Sequence, residues 1–231
     1  LQIAGPGYCM VGVRDILSDW SQRACRLTIR RLDRIDAPLF GIEQVRRLVH
    51  RDLADYIRFW ANFPNIWFGG LKPNTHSPPL QRPGGWGYVS GVNYSLAADE
   101  ALVVTTASGG AKYTGFQIND TWMIAPDARL RQVCLNGSQT APNADGTTTY
   151  VIAASDPGAA NWLDTAGYRD GYAIIRWQAI PPDLKGEGLI RDFRGGKLAE
   201  VAAMQGVPHV TPAQRRARVA ARKAAYETRV R

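Results

Sequence analysis

Between residues 86 and 182 the chain is cut into short segments by turn-forming residues, and this spacing limits the fold more than any other feature. Gly109-Gly110, Pro126-Asp127, Asn136-Gly137, Asn143-Ala144-Asp145-Gly146 and Asp156-Pro157-Gly158 each interrupt an apolar or alternating run. Gly, Asn and Asp accept turn backbone conformations, and Pro cannot donate to a strand ladder, so such clusters end strands. The runs between them (87–96, 101–106, 112–125, 129–135, 147–154 and 172–179) are rich in Val, Ile, Thr and Tyr. Those residue types suit a pleated, half-buried surface. The pattern predicts a mainly β protein, with a jelly-roll-like antiparallel β-sandwich over residues 86–182.

The flanks read differently. Residues 1–36 are expected to be strands that complete a preceding β region. Tyr8 to Arg14 is apolar, Arg26 to Leu32 alternates, and Asp19-Trp20-Ser21-Gln22 supplies a turn between them. The chain opens without Met, in what reads as the middle of a domain. From Pro38 the period changes: Ile42, Val45, Val49, Leu53, Tyr56 and Trp60 recur at steps of three and four. This predicts an amphipathic helix over 38–64 that covers a sheet. Residues 65–85 are a Pro- and Gly-rich loop, either a strap or a binding loop, with Trp67, Phe68, Lys72, Asn74 and His76 as candidate pocket walls. Residues 183–231 are expected to be a surface tail ending in a basic helix, started by Thr211 as N-cap and Pro212 in the first turn.

The net charge is +8, and residues 213–231 alone carry seven basic side chains against Glu227. The rest of the chain is close to balance. Contact with nucleic acid through Arg215 to Arg231 is therefore weighed against a solvated or subunit-docking tail, and the lack of interleaved aromatics beyond Tyr226 favours the latter. No apolar run reaches the roughly 18 residues of a membrane span, and no leader pattern is visible. Three Cys (Cys9, Cys25, Cys134) have no metal-type spacing. They read as buried thiols in a reducing compartment, with a Cys9–Cys25 disulfide as the alternative. The expected location is the cytoplasm.

With these residues laid out, the chain resembles a bacterial family catalogued as domain of unknown function 1214. The resemblance is carried by Tyr113, Phe116, Asp120 and Trp122 in a Tyr-x-x-Phe-x-x-x-Asp-x-Trp run. It is carried also by Asp145-Gly146 before a β-branched strand, by Asn161-Trp162-Leu163 after an Asp-Pro-Gly turn, and by Arg176 in a closing strand that stops at Pro. It spans roughly residues 86–182. It implies a jelly-roll-like β domain, preceded in longer members by another β region, with no established common activity.

Candidate chemistry centres on few residues. If the 112–125 run were one strand, Asp120 would share a face with Phe116, Ile118 and Trp122. An apolar surround raises a carboxyl pKa and can make a general acid; the alternatives are an Asp paired with Arg176 or one capping a turn. Asn161 and Trp162 offer a stacking platform with an amide, or else a structural plug. Arg176 either shares one side of its strand with Ile174 and Tyr172 or holds a carboxylate such as Asp120 or Asp164, a place that an anionic substrate could take. Tyr113, Asn119, Trp122, Asn161, Trp162 and Arg176 are thus the expected ligand-binding residues, with Asp120 as catalyst. Three His lack metal-ligand spacing, and no nucleophile elbow, phosphate loop or dinucleotide fingerprint occurs, so no metal or cofactor is expected. Two functions remain: a small-molecule site for a carbohydrate-like or hydrophobic ligand, enzymatic only through carboxylates, or a non-catalytic assembly module forming a homo-oligomer.

Overall fold

The computed structural model describes residues 13, 15–19, 21–28, 41–82 and 87–229. The run from Tyr8 to Met10, the end of the Arg26 to Leu32 run, Cys9, Trp20, Pro38 and Trp86 lie outside the described residues. The turn at Asp19 is present, closed by Gln22 N–H donating to Asp19 C=O at 3.2 Å. Arg26 to Thr28, the described part of the alternating run, are in no strand. Cys25 is an exposed free thiol and Cys134 a partly buried one, so neither is the fully buried thiol expected.

Two sheets form a β-sandwich. In one, the strands β1 (Thr75–His76), β3 (Tyr88–Ser95), β9 (Asp170–Gln178), β5 (Tyr113–Asn119) and β6 (Cys134–Asn136) lie in that order, and β2 (Leu80–Gln81) also pairs with β3. The other runs β10 (Ile190–Lys197), β4 (Glu100–Thr106), β7 (Thr148–Ala153), β8 (Trp162–Asp164). Every pairing is antiparallel except β7 with β8. Alternation sends Val92, Tyr94, Phe116, Ile118, Ile175 and Trp177 inward from the first sheet, against Leu102, Val104, Tyr150 and Ile152 from the second. Strands β4, β7 and β8 of the second sheet are buried on both faces, while β10 is not. Ala101, Val103, Val151 and Ala153 pack outward against Trp162 and Val201, the latter in α2 (Leu198–Ala202). Burial on both faces is why 101–104 and 150–153 read as unbroken apolar runs rather than alternating ones.

Four expectations change. The helix α1 (Ile42–Phe68) forms, but it is not a cover for the sheet. Only its last turns touch the body, with Pro64 and Phe68 buried, while Ile42, Val49, Leu53, Tyr56 and Trp60 are 47–67% exposed. Pro64 does not end the helix; Gly69 does, its N–H donating to Asn65 C=O at 2.9 Å. Of the two readings of the 65–85 segment, the strap is the one seen over its described residues, 65–82. Its first part belongs to α1, and β1 and β2 strap it along β3. The 129–135 run pairs only over Cys134–Asn136, because Asp127 opens a turn that takes up residues 128–130. The sandwich does not end at residue 182: β10 pairs along all of β4 and completes the second sheet.

The C-terminal helix α3 (Pro212–Arg229) begins as expected. Thr211 Oγ1 accepts from Gln214 N–H at 3.2 Å, and Gln214 Oε1 accepts from Thr211 N–H at 2.8 Å, a reciprocal cap of two orphan donors. It is no loose tail. Arg215 and Arg222 are buried. Arg215 pairs with Asp156 at 2.9 Å, donates to the Ala159 and Ala160 carbonyls and stacks over Trp162. Arg218 donates to Ala160 C=O at 3.1 Å, and Arg222 to Cys134 C=O at 2.7 Å. These arginines therefore bridge the approach to edge strand β8 and edge strand β6, one in each sheet.

Candidate functional site

Pair register fixes which side chains share the outer face of the larger sheet. Val89 is paired with Arg176, Gly91 with Ile174 and Asn93 with Tyr172, while Gly115 is opposite Arg176 on the other side. All of these alternate with the inward set and point away from the core. Gly91 is the opening through which α1 reaches this face. A Cβ there would stand 2.5 Å from Phe68 Cε1. Without it, Phe68 lies flat on the sheet and stacks on Tyr172, ring centroids 4.3 Å apart and planes within 20°. Burying that ring contributes about 2 kcal/mol. Phe68, Val89 and Ile174 form a small core of their own, with Leu71, Met123 and Tyr172 around it.

Beside this core the end of α1 and the sheet part, leaving a cleft of about 100 Å³. Phe63, Trp67 and Phe68 form the helix wall, and Val89, Gly91 and Ile174 the floor. Leu80 and Met123 close the ends. Polar groups enter at three points: Ser77, Arg82 and Arg176. The Arg82 guanidinium lies over the Trp67 ring, 5.2 Å from its centroid, a cation–π contact that orients both. Ser77 is fixed by the strap: its hydroxyl accepts from Gly91 N–H at 3.0 Å and its N–H donates to Gly91 C=O at 2.8 Å. No Asp, Glu, His or Cys lines the cleft among the described residues.

The expected site residues divide into three groups. Arg176 lines the cleft. Tyr113 lies beside it, folded across Gly115, whose added Cβ would sit 2.7 Å from the Tyr113 hydroxyl. Burial pushes the Tyr113 phenol pKa up, Cys134 adds to the rise, and the Arg176 guanidinium pulls it back. Asn119 is on the same sheet face, buried, its Oδ1 accepting from Gln117 Nε2 at 2.8 Å; its Nδ2 has no partner among the described residues.

Asp120 and Trp122 are not on a strand. β5 stops at Asn119, and Asp120 Oδ1 accepts the N–H groups of both Trp122 and Ile124, each at 2.8 Å. Met123 adopts φ +65° within that turn. Phe116 and Ile118 are on the inner face, so no apolar surround forms at Asp120. Trp122 is 66% exposed. Asp120 is the cap of this turn.

Asn161 and Trp162 are structural. Asn161 is fully buried, donating to Ala141 C=O at 2.8 Å and Thr149 C=O at 3.1 Å and accepting from Ala141 N–H at 2.8 Å. Trp162 donates its indole N–H to Ala153 C=O at 2.9 Å under Arg215. Trp162 opens β8 and Asn161 lies in the turn before it, and neither lines the cleft. Asp164 pairs with Arg131 at 3.0 Å, which takes it from Arg176. Among the expected pocket walls, Trp67 and Phe68 do line the cleft. Asn74 instead pins Ser95 through two hydrogen bonds, and His76 packs on Phe193.

Larger hollows are open furrows. One of about 290 Å³ beside Lys197 has that ammonium paired with Asp99 and Glu100. Another of about 370 Å³ lies along Arg218 and Arg222, whose guanidinium groups already serve backbone carbonyls. No group of three or more potential metal ligands occurs among the described residues, and no described helix is long and apolar enough to cross a membrane.

No protein-family model matches the chain, and no curated protein does. Among solved structures it is similar to an uncharacterised protein from Burkholderia cenocepacia, at 31% identity and TM-score 0.57 over 73% of this chain and 47% of that one. The VPA0106 protein from Vibrio parahaemolyticus aligns at 14% identity and TM-score 0.36, over 70% and 47%. The chain spans about half the length of each.

Proposed function

We propose that the protein binds a small molecule in the cleft between the end of α1 and the outer face of the larger sheet. The observation that carries this is the wall itself. Aromatic rings from a helix face an aliphatic floor, and a guanidinium rises from the central strand β9. Concave, mostly apolar sites with a few convergent polar groups are how proteins hold small ligands. The described lining has two cations and a hydroxyl but no acid, base or nucleophile pair, so binding is favoured over carboxylate catalysis. The test is mass spectrometry of the purified protein under native and denaturing conditions. An excess mass in the native spectrum that disappears on denaturation is expected, and it should fall away in Ile174→Trp, which fills the floor. An excess mass that survives Ile174→Trp contradicts this site.

A second reading, assembly between copies of the chain, is favoured by a separate observation. The stripe from Ile42 to Trp60 is apolar and exposed over about five turns of α1. It predicts self-association that Val49→Glu with Leu53→Glu abolishes. We also propose kinship with the domain of unknown function 1214 family, on the pattern of Tyr113, Phe116, Asp120, Trp122, Asn161, Trp162 and Arg176.

A further inference from the structure

We infer that the ligand is a compact anion with an apolar body, an aromatic or branched aliphatic carboxylate of about benzoate size. The inference rests on the cleft being a binding site. Two of its polar groups, Arg82 and Arg176, carry positive charge, and no negative side chain lines it among the described residues. A guanidinium presents paired N–H donors matched to the two oxygens of a carboxylate. Arg176 enters from β9, at the middle of the sheet, and is partly buried. A carboxylate there would add to the contacts Arg176 already makes and meet reduced competition from water.

Arg82 approaches from the strap and is held over Trp67, so it stands on the helix side of the same opening. Ser77 lies between the strap and the floor. Its oxygen accepts from Gly91 N–H, and a hydroxyl keeps a proton to donate. The body of the ligand would rest on Val89 and Ile174 beneath Phe63 and Trp67. The size follows from the roughly 100 Å³ volume, enough for one ring or a short branched chain and too small for a sugar chain or a nucleotide. This narrows the carbohydrate-like or hydrophobic ligand expected from the sequence. A sugar hydroxyl array needs acceptors as well as donors, and the one side-chain oxygen at this opening among the described residues, that of Ser77, already accepts from Gly91 N–H.

The test is calorimetric titration of the whole chain with benzoate and with benzamide, its neutral isostere, at one ionic strength. Benzoate is expected to bind at least tenfold more tightly. Arg176→Gln should remove that preference while benzamide affinity stays within twofold, Arg176→Lys should restore part of it, and Arg82→Gln should reduce it severalfold. Arg82 is exposed, so the Arg82→Gln result remains decisive if Arg176→Gln fails to fold. Equal binding of benzoate and benzamide overturns the anion inference and leaves the cleft as a binding site. Binding of neither at millimolar concentration overturns both. A benzoate preference that survives both Arg substitutions places the anion elsewhere and overturns the inference alone.

Discussion

An Asn161→Ala substitution strands three backbone groups at once: the N–H and C=O of Ala141 and the C=O of Thr149. The Thr149 carbonyl is buried and the two Ala141 groups are part-buried, so the expected loss is on the order of 2 kcal/mol, read from the denaturant midpoint. Asp120→Asn is the opposite case. The Asn oxygen can accept the same two N–H groups, so stability should change by less than about 0.5 kcal/mol and cleft binding not at all. The buried phenols make a pH prediction. Burial pushes the pKa of Tyr94 and of Tyr150 far above the ordinary value of about 10, and the charges near Tyr94, Asp120 first, add to its rise. The fold holds these protons where the unfolded chain releases them. Their stabilisation is therefore complete below pH 10 and is lost progressively as the pH rises beyond it. Denaturation at pH 8 and pH 9 should show no difference from these groups, and stability should fall from about pH 10 upward. Tyrosine absorbance should report two phenols that ionise only with unfolding.

The basic helix α3 shows how charge can mislead when its placement is unknown. Arg215, Arg218 and Arg222 face the body at helical spacing and cap carbonyls that two edge regions leave open. Arg215→Ala leaves the Ala159 and Ala160 carbonyls and Asp156 without that partner. The expected loss is about 2 kcal/mol, with faster proteolysis within α3 than in the unaltered chain. Much of the fold was legible from local signals. Turn clusters bounded β3, β4, β7 and β9 to within about two residues, the Thr-Pro start placed α3, and the three-four stripe found α1. The second sheet's last strand was not legible: 190–197 holds Gly195, Gly196 and alternating charges, and its strand state comes from pairing with β4, a tertiary effect. The reach of α1 was also hidden, because a stripe says that a face is apolar and not what covers it.

Of the candidate site, Arg176, Trp67 and Phe68 were visible beforehand, and the constellation was not. It is made by the absence of a side chain at Gly91, by a helix end landing there, and by the Asp120 turn delivering Met123 rather than a carboxylate. None of these has a local spacing to find. The same junction separates two roles within one chain: a closed sandwich stapled by α3, and an outer face where α1 meets the sheet and leaves space. That the space takes a small apolar anion is the claim on which the functional account turns. Methionine methyl NMR tests it most directly, since the chain has three Met and only Met123 lines the cleft among the described residues. With the Met123 signal assigned by Met123→Leu, benzoate should shift that methyl in a saturable manner and leave Met204, in the second sheet's outer cluster, in place. A Met123 methyl unmoved at saturating benzoate, or a Met204 methyl moved equally, would contradict the account.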